Sequence, residues 1–164
     1  MATFKSMQGV ITQIDEFGTN VHSLSGCAKI YSISDRQGAV MKFVVSPSTY
    51  VVNQSVLSIG DNVIAFYDIN TPTSRIYPPQ YQAVAIAVIT GNTNVIIDTF
   101  NRNLVNSSNT LQINIGPQTR IMLTNGQPYM GNLTNRSILV VYGFATKSIP
   151  ARTTPSQIIV LCYE

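Results

Sequence analysis

The chain has 164 residues, of which only 10% are charged and 45% are hydrophobic, and its formal net charge is +3. Because an ordinary soluble domain carries roughly 25% charged residues, this surface has few ionic groups to keep neighbouring copies apart. The basic residues are scattered along the sequence and form no cluster, so the positive charge is only weak evidence for a nucleic-acid-binding protein. No apolar stretch reaches about 18 residues, so the sequence predicts no membrane span.

Two halves of the sequence nearly repeat each other. The matched stretches are residues 43–52 with 113–122, residues 63–67 with 138–142, and residues 79–86 with 155–161. Self-similarity at a nearly constant offset indicates a duplicated structural unit. We therefore expect two copies of one all-β unit, the first in residues 1–90 and the second in residues 91–164.

In chain order, the elements are short β-branched and aromatic runs bounded by Gly, Pro, Asn, Asp and Ser, a pattern typical of strands. The strands predicted in the first copy are residues 8–14, 21–24, 29–33, 39–45, 49–52, 63–67 and 81–90. A loop or single helical turn is predicted at 56–62, and a long loop at 68–79. The strands predicted in the second copy are residues 94–100, 110–115, 119–124, 138–144 and 157–163. Asn125-Gly126 between two of them is a strong hairpin signal.

The segment Leu57-Ser-Ile-Gly-Asp-Asn-Val63 resembles the beginning of the fourth strand in small five-stranded barrels of the OB type. A Gly-Asp turn suits that place because glycine tolerates positive φ and aspartate caps the turn. The second copy has residues 133–138 at this position and lacks the glycine. The resemblance implies an all-β protein of two tandem OB-like barrels, and the alternative is a single β-sandwich built from both copies.

A second resemblance concerns residues 66–68 and 76–81, which read Phe-Tyr-Asp and Ile-Tyr-Pro-Pro-Gln-Tyr. This phrase is similar to one in small uncharacterised all-β proteins of spore-forming bacteria. The similarity implies a lineage and a cell-surface or spore context, and it implies no activity. The first residues lack the apolar core of a signal peptide, so we expect synthesis in a cytoplasm, followed by deposition on a cell or spore surface.

The sequence offers few groups for catalysis or metal binding. His22 is the one histidine, and most of the seven acidic residues fall in predicted turns, where they commonly bond their own backbone. Zinc-ligand spacings, phosphate-binding loops and nucleophile motifs are absent from the sequence. We therefore predict a protein that is not an enzyme and needs no metal or cofactor. Cys27 and Cys162 are expected to be buried thiols, although a disulfide within or between chains stays open.

Two functions remain from different classes. The first is a structural subunit that self-assembles into a filament, lattice or coat through unpaired strand edges. Its candidate contacts are Ala2, Thr3, Phe4, Lys5, Ser6, Met7, Tyr77, Tyr81, Ile158, Val160 and Cys162. The alternative is an OB-type module that binds an oligosaccharide or single-stranded nucleic acid by stacking on aromatic side chains. Its candidate contacts are Lys42, Arg75, Tyr81, Arg120 and Tyr129.

Overall fold

A computed structural model describes residues 3–17, 26–72 and 76–162 of the chain. The protein is all-β, and of the described residues 48% lie in strands and 2% in helix. Contacts divide the chain into two compact units, Met1–Thr90 and Gly91–Glu164. Each sheet takes its strands from one unit.

The first unit holds one seven-stranded sheet. Its elements are β1 Phe4–Glu16, β2 Lys29–Ser34, β3 Val40–Val45, β4 Tyr50–Val51, a 3₁₀ turn Val52–Gln54, β5 Asn62–Asp68, β6 Gln80–Gln82 and β7 Ala85–Val88. The first half of β1 pairs with β5 and its second half with β2, and both pairings are antiparallel. Strand β3 continues the sheet beside β2 and pairs in parallel with β6. Strand β7 pairs antiparallel with β5 and in parallel with β4.

Strands β6 and β7 are consecutive pieces of one extended segment, and they pair near opposite ends of this sheet. The Ala83 amide donates to the Val44 carbonyl at 3.0 Å, and the Val84 amide donates to the Phe66 carbonyl at 2.8 Å. One residue therefore bonds the end of β3 and the next bonds β5. A single strand predicted at 81–90 is thus two short strands, because the segment changes partner at Ala83 and Val84.

The core of the first unit follows the two-residue period of its strands. Met7 and Ile11 on β1 lie in one cluster with Phe43, Val63 and further buried side chains of β2, β5 and β7. Within this cluster, the ring of Tyr67 lies beside that of Phe43, with the two centroids 5.7 Å apart and the ring planes tilted by 51°. The interior is therefore filled by alternate residues from the strands that surround it.

The second unit repeats the pairing order of the first. Its strands are β8 Asn94–Thr99, β9 Leu111–Ile113, β10 Arg120–Leu123, β11 Ser137–Tyr142, β12 Ala151–Thr153 and β13 Gln157–Val160. Strand β11 lies antiparallel between β8 and β13, β10 runs parallel to β13, and β9 runs parallel to β12. In the first unit, β5 likewise lies antiparallel between β1 and β7, β4 runs parallel to β7, and β3 runs parallel to β6. The counterpart of β2 is reduced to two isolated bridges, Phe100↔Asn106 and Val105↔Gln112.

The register of the strands corrects the alignment of the two copies in their last segment. Val51 pairs with Ile86, and Ile121 pairs with Ile158, so the last strands correspond at an offset of 72 (158 − 86). The sequence repeat instead matches Pro79 to Pro155, at an offset of 76. Strand β12, which lies in a segment rich in Ser, Pro and Thr, is not predicted from the sequence, because its three residues are too few to show an alternation.

Other boundaries also differ from the sequence predictions. Strand β1 begins at Phe4 rather than at residue 8, because its early polar residues form the ladder with β5. The helical turn lies at Val52–Gln54 and not at 56–62. The hairpin turn at Asn125-Gly126 is present, with the Leu123 amide donating to the Gln127 carbonyl at 2.8 Å. The strand predicted at 21–24 lies outside the described residues.

Candidate functional site

Two of the three contacts predicted near the end of the chain, Ile158 and Val160, lie in the interior of the second unit. Strand β13 lies between β10 and β11, so it is an interior strand and offers no edge. Ile158 is 0% exposed and Val160 is 1% exposed, and both belong to the core of the second unit. These two side chains therefore cannot reach another molecule in the folded protein. Cys162, two residues further on, is exposed.

The cysteine prediction is also corrected. Cys27 and Cys162 are both free and exposed, although two buried thiols were expected. Cys27 follows the turn at Gly26, just before β2, and Cys162 follows the last strand. Both lie beyond the ends of strands, where the sheet does not cover their side chains.

The two tyrosines predicted as contacts have different surroundings. Tyr77 is 82% exposed in the loop between β5 and β6. Tyr81 is half-buried on β6, and its ring centroid lies 4.3 Å from that of Tyr67. Because Tyr81 pairs with Phe43 in the sheet, it faces the interior with that residue. Tyr77 remains accessible, whereas Tyr81 is a structural residue.

The first half of β1 has one open edge. The Ile11 amide donates to the Asp61 carbonyl at 3.0 Å, and the Gly60 amide donates to the Ile11 carbonyl at 2.8 Å, so odd-numbered residues of this strand face β5. Main-chain groups alternate in direction along a strand, and those of Ser6 and Gln8 therefore point away from β5. Pairing of β1 with β2 begins only at Val10. Within the described part of the chain, no strand pairs with Ser6 or Gln8 on that outward side.

A groove of about 680 Å³ runs along this open edge. One wall is formed by residues 6–10 of β1, and the other by residues 34–37 of the turn between β2 and β3. The turn is fixed by the Asp35 carboxylate, which accepts the amides of Gln37 and Ala39 at 3.0 and 2.9 Å. The groove is therefore preformed beside unpaired main-chain groups. We call this feature the β1 edge.

The contacts predicted for a binding module do not converge within either unit. Lys42 lies on β3 opposite Gln80, on the face of the sheet away from Tyr81. In the second unit, Arg120 reaches the Met122 sulfur at 3.7 Å, and the Tyr129 hydroxyl donates to the Asn132 carbonyl at 2.8 Å. Arg75 lies outside the described residues. Lys42 and Tyr81 therefore do not share a site, because adjacent strand positions face opposite sides of the sheet.

A second groove, of about 720 Å³, lies in the second unit and was not predicted from the sequence. Its walls are the β9–β12 pair and the loop that follows β11. The residues that line it include Gln112, Asn114, Phe144, Thr146, Arg152 and Thr154. A comparison of the two copies could have indicated it. Lys42 is a predicted ligand contact, and Gln112 is its counterpart (112 − 42 = 70) on a strand that the repeat identifies.

Of the tyrosines in the described ranges, three have raised pKa values. Burial raises the pKa of Tyr31, and the charge of Glu16 adds to this effect. Burial raises the pKa of Tyr67, with a further contribution from Tyr81, and it raises the pKa of Tyr142. These phenols consequently stay protonated to higher pH in the folded protein than in the unfolded chain.

Neither a protein-family model, nor a curated protein, nor a solved structure matches the chain. Among the described residues, no helix is long and apolar enough to cross a membrane. In the same ranges, no three His, Cys, Asp or Glu residues come together to hold a metal ion.

Proposed function

We propose that this chain is a non-enzymatic structural protein whose copies self-associate through the β1 edge to build a filament, lattice or coat. The observation that carries the proposal is the open stretch of β1 at Ser6 and Gln8 beside a preformed groove. An unpaired strand edge presents amide and carbonyl groups that a strand from another chain can pair with. The low content of charged residues supports the same interpretation, because little charge repulsion opposes close packing of copies.

The strand order supports a further part of the proposal, namely that each unit is an OB-type barrel. In such a barrel, the first strand pairs with the second and fourth, and the fifth pairs with the third and fourth. The first unit has this connectivity when β6 and β7 are taken together as the fifth strand. A long first strand whose two halves have different partners explains why one half keeps a free edge.

Exposed apolar side chains offer a second contact, which growth beyond a closed pair requires. Tyr77 and Ile76 in the β5–β6 loop are 82% and 59% exposed. A second copy that covered them would remove apolar surface from water at about 25 cal/mol per Å². The resemblance of this loop to proteins of spore-forming bacteria leads us to place the assembly on a cell or spore surface.

Point variants at the β1 edge test the proposal. Proline at Ser6 removes an amide that points away from β5, so the β1–β5 ladder is kept while the open edge loses a donor. Lysine at Gln8 adds a charge that an incoming strand must bury. We expect the wild-type protein to form large particles in negative-stain micrographs, and Ser6→Pro and Gln8→Lys to shift the protein to small species in size-exclusion chromatography with light scattering.

Gln13→Lys is the matched control, because Gln13 is also exposed on β1 but lies where the strand already pairs with β2. It should assemble like the wild type, and circular dichroism should show that all variants fold. Deleting residues 1–7 is a poor test, since Met7 belongs to the core. The proposal is wrong if the wild-type protein stays monomeric at every concentration, or if both edge variants assemble as the wild type does.

A further inference from the structure

The groove of the second unit is built around a rigid loop. The Thr146 amide donates to the Arg152 carbonyl at 2.9 Å, and the Arg152 amide donates to the Thr146 hydroxyl oxygen at 2.9 Å. The Ser148 hydroxyl lies 2.7 Å from that of Thr146 and donates to the Pro150 carbonyl at 2.8 Å. The loop between β11 and β12 is therefore held by its own hydrogen bonds, and a ligand would not have to order it.

A solvent-exposed aromatic ring lies at this groove. Phe144 lines the groove and is 83% exposed, although a phenylalanine side chain is ordinarily buried. The chain follows β11 directly into this position, and Asn94 donates to the neighbouring Gly143 carbonyl at 3.1 Å. The backbone beside the ring is thus tied to the sheet. Such a ring offers a flat apolar surface to a ligand in the groove.

The floor of the groove consists mainly of uncharged hydrogen-bonding groups. The Asn114 side-chain amide lies 3.4 Å from the Thr154 hydroxyl across the β9–β12 pair, and that of Gln112 donates to the Asn103 carbonyl at 3.1 Å. These groups keep further donor and acceptor capacity for a ligand. Of the described residues that line the groove, Arg152 alone carries a charge.

We propose that this groove binds a neutral oligosaccharide. A sugar ring has an apolar face, which would lie on Phe144, and a rim of hydroxyls, which would bond the amides and hydroxyls of the floor. A cavity of about 720 Å³ lies within the range typical of small-molecule sites. A single-stranded nucleic acid fits less well, because its phosphates require a groove lined by several cations.

The described part of the first unit lacks this arrangement and provides an internal comparison. Ile69, which follows β5, is the counterpart of Phe144, which follows β11 (144 − 69 = 75). Its side chain is aliphatic and provides no ring on which a sugar could lie. Lys42 and Gln80 take the places of Gln112 and Arg152 on the paired strands. The proposal therefore assigns sugar binding to the second unit alone.

Isothermal titration calorimetry with cellohexaose, chitohexaose and maltohexaose tests the proposal on the full chain. We expect saturable binding of at least one of the three sugars, with one site per chain. Phe144→Ala should weaken that binding by about tenfold, and Asn114→Ala should weaken it as well. The matched control is Met130→Ala, which removes an equally exposed side chain of the same unit outside the groove and should bind as the wild type does.

Three results would overturn the proposal. The first is no saturable heat with any of the three sugars at millimolar concentration. The second is sugar binding that Phe144→Ala and Asn114→Ala leave unchanged. The third is preferential binding of oligothymidylate in the same groove that weakens steeply with added salt, which would make it a nucleic-acid site. None of these outcomes bears on self-association, because the β1 edge belongs to the other unit.

Discussion

At the scale of single residues, the duplication is most visible in two threonines. The Thr49 hydroxyl donates to the Ala83 carbonyl at 2.8 Å and accepts the Ser46 amide at 3.1 Å. The Thr119 hydroxyl makes the same two bonds, to the Pro155 carbonyl at 2.7 Å and from the Gly116 amide at 3.1 Å. In each copy, the threonine that follows x-Pro-x ties the turn after the third strand to the last strand. The sequence contains this pair, but its role depends on contacts about 35 residues away.

We predict that Thr49→Val lowers the free energy of unfolding by about 1 to 3 kcal/mol, since the part-buried Ser46 amide and the buried Ala83 carbonyl both lose their hydrogen bond to the hydroxyl. Thr119→Val should cost somewhat less, because Thr119 is only half-buried. Urea unfolding followed by circular dichroism measures both. Thr124→Val, at an exposed position of the second unit, is the control and should change stability by less than about 0.5 kcal/mol. Equal stability of Thr49→Val and the control would contradict the assigned role.

At the scale of elements, β1 is the strand that shapes the first unit. It changes partner from β5 to β2 at Val10, and a bulge at Thr12 follows, where the register shifts between Ile11 and Gln13. A bulge inserts one residue, so even-numbered residues rather than odd-numbered ones face the core after it. Ile14 can therefore pack against the core that Ile11 fills, although the two are an odd number of residues apart.

Gly9 permits the change of partner. A β-carbon there would lie against the Ser34 carbonyl oxygen, far inside van der Waals contact. We predict that Gly9→Ala destabilises the protein by about 1 to 3 kcal/mol, the usual cost of overpacking, measured as a lower urea midpoint. Gly143→Ala is the matched control, because the nearest atom to its added carbon is the Asn92 carbonyl oxygen at 4.0 Å. If both variants unfold at the wild-type midpoint, the close approach of β1 to Ser34 is not a constraint.

The turn before the fourth strand shows how the copies reach one geometry with different residues. Gly60 has φ +97°, and its amide donates to the Ile11 carbonyl at 2.8 Å. Asn135 has φ +59°, and its amide donates to the Phe100 carbonyl at 2.8 Å. Asparagine is among the few residues besides glycine that adopt this conformation readily. The missing glycine in the second copy is therefore replaced rather than lost.

At the scale of the whole molecule, buried tyrosines link stability to alkaline pH. Because the pKa values of Tyr31, Tyr67 and Tyr142 are raised by burial in the folded protein, the unfolded chain loses these protons first. Their contribution is intact below the ordinary tyrosine pKa of about 10. It is lost as the pH rises from there through the raised folded values. Stability should consequently fall over this alkaline interval.

The measurement is the free energy of urea unfolding as a function of pH, with tyrosinate absorbance recorded in parallel. Tyr67→Phe removes one of the titrating phenols and should make the alkaline decline shallower than in the wild type. Met130→Leu is the control, because it changes an exposed side chain that does not titrate, and it should leave the slope unchanged. A wild-type stability that does not change between neutral pH and the tyrosine range would refute this linkage.

The sequence by itself determined the strand-rich character of the chain, the match of Phe43 to Ile113 and the paired threonines, because these depend on local period and on repetition. Only the tertiary structure decided which strands have partners on both sides. The sequence analysis predicts a free strand edge around Ile158 and Val160. Both side chains are buried, because β13 pairs on both sides with other strands. The start of β1 does lie at an edge, but its open side depends on where β2 begins to pair. The groove beside Phe144 was missed for the same reason, since β9 and β12 meet only when the chain has folded.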